Sequence, residues 1–239
     1  MREYKKILFN LIWMSVALCL WFGYIYGNSP TNIDSSQDLL GYLGINAGYN
    51  YVMLHCSVYF GLYIILLFQI TPKINEQHFI RISRAAILKK KIIAALISSL
   101  IFTAVFTGMH AFMMVRTLGF NVLSRYDFGI AWGLNYLRLS EIYLIFGLLV
   151  VLFEIILSSQ RLAVLGAVST AVLWVFTGKY MDVTKLYSDF AVYDLYYSKT
   201  GLDLVEYSSI FFRHCMIIFC MIYVSILLFE RKDILNDKR

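Results

Sequence analysis

Long apolar stretches constrain the fold of this chain more than any other feature. The first, residues 7–27, contains no charged residue and follows a basic N-terminus. As a helix rising ~1.5 Å per residue, it would cross the ~30 Å hydrocarbon core of a bilayer. It is longer than the apolar core of a secretory signal, so we interpret it as a retained span. Five more spans are predicted, at residues 50–71, 92–115, 139–158, 162–178 and 210–229.

The composition excludes an ordinary soluble domain. Only 15% of the 239 residues are charged and 60% are hydrophobic, whereas about a quarter of the residues of a typical globular protein are charged. The predicted fold class is all-α, a polytopic membrane protein with six transmembrane helices in a single domain, residues 1–239. The net charge of +6 comes from Lys and Arg at span ends, which favours the lipid bilayer as partner and not nucleic acid.

The strongest charge concentration lies between the second and third spans, in residues 72–91. This segment carries one acid, Glu76, and six basic residues: Lys73, Arg81, Arg84, Lys89, Lys90 and Lys91. Lys and Arg beside membrane spans favour the cytosolic face. With this segment inside, the 21 basic residues divide into 14 on the cytosolic side, six on the outer side and Arg213 within a span. Both termini are therefore predicted to be cytosolic.

Three connecting segments are predicted to be external, at residues 28–49, 116–137 and 179–209, whereas the fourth and fifth spans form a tight hairpin. In the last of these segments apolar residues recur at spacings of three and four with charged residues between them: Leu186, Phe190, Tyr193 and Tyr197 alternate with Lys185, Asp189 and Asp194. The pattern predicts an amphipathic helix at the outer membrane interface. An irregular loop is the alternative.

A second amphipathic helix is predicted on the cytosolic side, at residues 79–91. Its residues divide between two helical faces, one with Phe79, Ile82 and Ala86 and the other with Arg81, Arg84 and Leu88. The simplest interpretation is that this helix rests on anionic lipid headgroups, to which each basic residue contributes ~1 kcal/mol.

Three ionisable residues fall within the predicted spans. Glu154 lies about one turn from the cytosolic end of the fourth span, Glu141 lies near its outer end, and Arg213 lies near the outer end of the sixth. Ionisable groups inside a membrane are costly and often functional. Because Glu141 and Arg213 lie at similar depth, we predict a structural ion pair between them; a transport role is the alternative.

The third span carries small and polar residues at a strict spacing of four: Ala95, Ser99, Thr103 and Thr107. Such stripes usually allow helices to pack closely. The alternative is that Ser99, Thr103 and Thr107, with Glu154, line a substrate path.

No catalytic or metal-binding motif is present in the sequence. The chain lacks the GxxxxGK[ST] phosphate loop, the HExxH pair and the GxSxG elbow. His55, His110 and His214 fall in the outer thirds of three spans, but they lack the spacing of metal ligands, so no metal site is predicted.

The layout of the whole chain resembles an ABC-2 type transporter permease, of the small six-span kind found with antimicrobial-peptide export and immunity in bacteria. The resemblance is carried by the segment RISRAAILKKKIIAALISSLIF between the second and third spans, the long segment before the sixth, and the tail LLFERKDIL.

This resemblance implies a transport subunit of the bacterial cell membrane that is not itself an enzyme. The helix at residues 79–91 would dock into a separate cassette ATPase, with coupling residues Phe79, Arg81, Ile82, Arg84 and Lys89. ATP and Mg would be held by that partner, with no cofactor in this chain. A second permease chain would complete a path for a hydrophobic or amphipathic peptide.

Two other functions remain open. One is a stand-alone immunity or sensor protein that binds a peptide at its outer face through residues 179–209. The other is a membrane-embedded enzyme that uses Glu154, His110 or His214.

Overall fold

The structure, a computed structural model, describes residues 2–27, 33–43, 51–71, 84–180, 189–197 and 203–231, and every regular element in these ranges is helical. Six helices are long and apolar enough to cross a membrane. They are α1 (Arg2–Tyr26), α3 (Val52–Ile70), α4 (Arg84–Leu118), α6 (Phe128–Leu157), α7 (Gln160–Tyr180) and α9 (Leu204–Arg231). The prediction of an all-α fold with six spans is confirmed. The sidedness of the termini and the single domain stay predictions.

Three shorter helices complete the described fold: α2 (Ser36–Leu43), α5 (Phe120–Arg125) and α8 (Val192–Tyr197). All three fall in segments predicted to be external. The two ends of the bundle are named here by their residues. The basic end holds Lys89, Ser158 and Arg231, and the far end holds His110, Phe128 and Asp189.

Helix α4 begins earlier than the predicted third span. Residues 84–91, predicted to belong to a separate amphipathic helix, continue into the span without a break. No Gly or Pro occurs between residues 84 and 107, and Ala, Leu and Lys favour helix, so nothing in the sequence ends the helix there. At ~1.5 Å per residue, α4 is about 52 Å long. The rest of the predicted helix, residues 79–83, lies outside the described residues.

The predicted external loop at residues 116–137 is largely helical. The chain leaves the helical conformation at Gly119, with a φ of 82°, and at Asp127, with a φ of 51°. Positive φ is accessible to Gly and tolerated by Asp, so these two residues separate α4, α5 and α6. Helix α6 therefore starts at Phe128, well before the predicted start at residue 139, and brings Arg138 into the bundle.

The structure contains the tight hairpin between the fourth and fifth spans. Ser158 adopts the left-handed conformation and its backbone N–H donates to the carbonyl of Glu154 (3.1 Å). Helices α6 and α7 then pack at Gly166, where a Cβ atom would lie 3.0 Å from the ring of Phe153. A side chain at this position would require the ring of Phe153 to shift.

Helix α6 lies at the centre of the bundle. Buried residues make up 61% of its most apolar window, against 17% for α1, and it packs against α4, α7 and α9. It packs tightly on α4 at Gly147, where a Cβ atom would lie 3.1 Å from the Cβ of Ala95 and would clash with the hydroxyl of Tyr63 on α3.

Residues 189–197 are buried in the bundle and do not lie on its surface. Phe190, Tyr193 and Tyr197 are 1%, 0% and 6% exposed, and α8 packs against α2 and α6. The predicted apolar stripe is therefore present, but it faces the other helices of the chain. The predicted contact of this stripe with the membrane is wrong for residues 189–197, because the aromatic side chains pack against other helices. The position of the segment at the outer interface stays a prediction. Lys185 and Leu186 lie outside the described residues.

Candidate functional site

The hydroxyl stripe of α4 is part of the packed interior. Ser99, Thr103 and Thr107 are all fully buried. Ser99 donates to the carbonyl of Leu96 and Thr107 to that of Thr103, each at 2.8 Å. Both hydroxyls are thus satisfied by their own helix, which is the close-packing interpretation. A place for these residues in a substrate path stays a prediction.

Glu154 forms an ion pair at the basic end. Its Oε2 lies 2.9 Å from Nζ of Lys91, and the two side chains are 18% and 12% exposed. The pair joins α6 to the start of α4, which continues the basic segment. Of the predicted coupling residues, Lys89 is exposed on this part of α4.

The structure does not describe the other predicted coupling side chains. Phe79, Arg81 and Ile82, together with the side chain of Arg84, lie outside the described residues. Their role in docking an ATPase stays a prediction.

A cluster of five ionisable side chains lies in the far half of the bundle, where α6, α9 and residues 189–197 meet. We call it the far cluster; its members are Arg138, Glu141, Asp189, Arg213 and His214. Oε2 of Glu141 lies 2.8 Å from Nδ1 of His214, and Oδ2 of Asp189 lies 3.6 Å from its Nε2. Arg213 contacts Asp189 directly. The cluster thus joins three separate elements by charge.

The predicted ion pair between Glu141 and Arg213 is replaced by two others. Successive residues on a helix point about 100° apart, so neighbours on α9 face different partners. His214 is fully buried against Glu141, whereas Arg213 is 40% exposed and reaches Asp189. The sequence placed both charges at the correct depth but did not indicate which face of α9 meets α6.

Arg138 was missed because it was assigned to an external loop. Its side chain is fully buried, its Nη2 donates to the carbonyl of Tyr207 (3.0 Å), and its guanidinium carbon lies 4.5 Å above the ring of Tyr207. Its Nε is 4.0 Å from Glu141, one helical turn away. The signal available in the sequence was this spacing of three between opposite charges, which is favourable only if both lie on one helix.

Two other histidines are bonded to tyrosines. Nδ1 of His55 lies 2.8 Å from the hydroxyl of Tyr143, and Nε2 of His110 lies 3.1 Å from that of Tyr26. His55 opens a π-helical turn, residues 55–59, a feature that often accompanies functional sites. Both rings belong to a continuous aromatic cluster with members from α1, α3, α4 and α6.

The ionisable residues of the enzyme alternative are held apart. Glu154 pairs with Lys91, His110 contacts Tyr26, and His214 contacts Glu141. Among the residues that the structure describes, no group of three His, Cys, Asp or Glu side chains is arranged to hold a metal ion. Each of the three contacts joins two different helices.

Helix α6 connects the two charged sites. Glu154 at the basic end and Glu141 in the far cluster are 13 positions apart, which corresponds to about 20 Å along one unbroken helix. The ion pair between Lys91 and Glu154 thus joins the start of α4 to the same helix that carries Glu141. No protein-family model, curated protein or solved structure matches this chain, so its function is argued from this geometry.

Proposed function

We propose that this chain is the membrane-spanning permease subunit of an ATP-binding cassette transporter that exports a hydrophobic or amphipathic peptide of the antimicrobial type. A separate ATPase docks on residues 79–91, and a second permease chain completes the substrate path in the bacterial cell membrane. The observation that supports this proposal best is the continuity of residues 84–91 with α4, reinforced by the Lys91 to Glu154 ion pair.

The mechanism uses no chemistry in this chain. ATP binding draws two ATPase subunits together and displaces the docked residues 79–91. Because residues 84–91 are the first turns of α4, the displacement acts on α4 directly and on α6 through Lys91 and Glu154. The spans then change between inward and outward access, as far as the difference in binding free energy between the two states permits.

The immunity or sensor alternative depends on an exposed segment at residues 179–209. Within that segment, residues 189–197 are buried against α2 and α6, whereas Leu204 and Val205, at the start of α9, are exposed. This burial gives the alternative less support than the permease.

Co-purification tests the proposal. The full chain is expressed together with its neighbouring genes, which the proposal expects to encode a cassette ATPase, extracted in mild detergent and captured by a tag on this chain. We expect the ATPase to be retained, and the double reversal Arg81→Glu with Arg84→Glu to release it. Arg161→Glu is the matched control, since Arg161 is an exposed basic residue beside the hairpin at the same end of the bundle. Release by the control alone, or no ATPase in any preparation, would contradict the proposal.

A further inference from the structure

We propose that His214 is a proton-binding residue that connects residues 189–197 to α6. Its imidazole carries both ring protons when this segment is packed in the bundle. The ring is fully buried between carboxylates from two different elements. Its Nδ1 is 2.8 Å from Glu141 on α6, and its Nε2 is 3.6 Å from Asp189. Nothing in the proposed transport function requires or supplies this proton site.

The positions of the two carboxylates determine which protonation state fits. A neutral imidazole has one N–H donor and one lone pair. If the single proton lies between Nδ1 and Glu141, the lone pair of Nε2 faces the carboxylate of Asp189, which is repulsive. A second proton, on Nε2, makes both contacts attractive. Tyr207, two turns earlier on α9, lies against Arg138 and donates its hydroxyl to the carbonyl of Leu134.

The charge balance of the far cluster points the same way. The charged groups around His214 are Arg138 and Glu141 on α6, Asp189, and Arg213 on α9. The first three have side chains that are 0%, 13% and 2% exposed, and their formal charges sum to −1. Arg213, which is 40% exposed, contacts Asp189 and compensates part of this charge. A proton on His214 supplies a second, fully buried cation between Glu141 and Asp189, and buried carboxylates are costly unless they are paired.

Proton binding by His214 and the packing of residues 189–197 in the bundle are therefore linked. The segment is also held by aromatic contacts, Phe190 with His55 and Tyr193 with Phe128, whose ring centroids are 5.0 and 6.1 Å apart. Loss of the proton leaves Asp189 with Arg213 as its cationic partner. The segment is then held less firmly at alkaline pH than at neutral pH.

Magnetic resonance of histidine-labelled full chain in lipid nanodiscs tests the protonation state. Four histidines give four ring signals, and His214→Gln identifies one of them. We expect this signal to be that of a doubly protonated ring at neutral pH, and Glu141→Gln to lower its protonated-to-neutral ratio by about tenfold or more, the effect of removing one adjacent opposite charge. The signal of His110, which contacts Tyr26, serves as the control and should not change.

Cysteine reactivity tests the link to residues 189–197. Val192→Cys is placed in a variant without the four native cysteines, because Val192 is fully buried. After correction for thiolate content, its labelling rate should increase from neutral to alkaline pH, and His214→Gln should make it fast throughout. A singly protonated His214 at neutral pH in the unmodified chain overturns the proposal, as does a labelling profile that His214→Gln leaves unchanged. Neither result would alter association with the ATPase, which tests the transport function separately.

Discussion

The two charged sites on α6 differ in burial and in the number of partners. At the basic end, Lys91 and Glu154 form a single pair whose side chains are 12% and 18% exposed. In the far cluster, Glu141 is 13% exposed, but its partners Arg138 and His214 are fully buried. Arg138, Asp189 and His214 each contact more than one group.

This difference predicts different roles for the two sites, one in the stability of the fold and the other in passing a displacement from α4 to α6. Removing one member of a buried charge cluster leaves its partners buried without a compensating charge. This typically lowers the free energy of unfolding by about 3–5 kcal/mol. A pair that keeps some exposure contributes much less, since water and mobile ions replace the lost partner. The far cluster therefore stabilises the fold, whereas the pair at the basic end is suited to passing on motion.

The largest effect is expected from Glu141→Ala. It removes the anion beside Arg138 and His214 and should lower the free energy of unfolding by about 3–5 kcal/mol. Denaturant titration of the purified protein in detergent measures this. Glu154→Ala is the matched control on the same helix and should cost less than half as much; equal losses would show that the two sites do not differ.

A smaller decrease in the free energy of unfolding is expected from Gly147→Ala, a substitution on α6 between the two charged sites. Its Cβ would meet the hydroxyl of Tyr63 and the Cβ of Ala95, so α4 and α6 must separate, and overpacking of this kind costs about 1–3 kcal/mol. Gly133→Ala is the control, because no atom lies within 4 Å of the Cβ position there. Thermal unfolding of both variants decides whether α6 is held rigidly along its length.

The pair at the basic end should matter for export more than for stability. Lys91→Gln, which removes the pair without placing two carboxylates together, should lower the free energy of unfolding by less than Glu141→Ala does, because neither group of the pair is fully buried. Under the proposed function it should still retain the ATPase but lose most peptide export. The exchange Lys91→Glu with Glu154→Lys restores the pair and should restore export. An exchange variant that stays inactive would remove the ion pair from the mechanism.

The smallest effect on stability is expected from Asp194, which lies with Asp189 in residues 189–197. Burial raises the pKa of Asp194, whose Oδ2 has no hydrogen-bond partner in the part of the chain that the structure describes, whereas Asp189 is paired. A carboxyl with a raised folded-state pKa favours folding at pH below its unfolded pKa, and that contribution is lost as pH rises through the folded value. Asp194→Asn should therefore make stability less dependent on acid pH and slightly higher at neutral pH.

Asp38 provides the opposite case for the same titration. Hydrogen bonds from Ser35 lower the pKa of its carboxyl, so its contribution is present above the unfolded pKa and is lost on acidification. Asp38→Asn should consequently change the pH profile in the direction opposite to Asp194→Asn. Unfolding transitions measured from acid to neutral pH compare the two; slopes of the same sign would contradict this assignment.

The residues that sequence analysis placed best are those in regular apolar patterns. The six spans follow from run length and lack of charge, since a bilayer core admits little else. The aromatic stripe of Phe190, Tyr193 and Tyr197 was also visible as a spacing. Helix ends were placed poorly, because α4 and α6 extend through Lys-rich and Arg-containing residues that hydropathy treats as loop.

The sequence by itself determined that this chain is a helical membrane protein, because the cost of burying backbone polar groups in lipid leaves helices as the solution for long apolar runs. Only the tertiary structure decided that Arg138 lies inside the bundle, that Glu141 contacts His214 and not Arg213, and that residues 189–197 are buried. Each of these depends on the rotation of one helix against another. A few degrees per residue change the contacting face, and no local pattern in the chain specifies that angle.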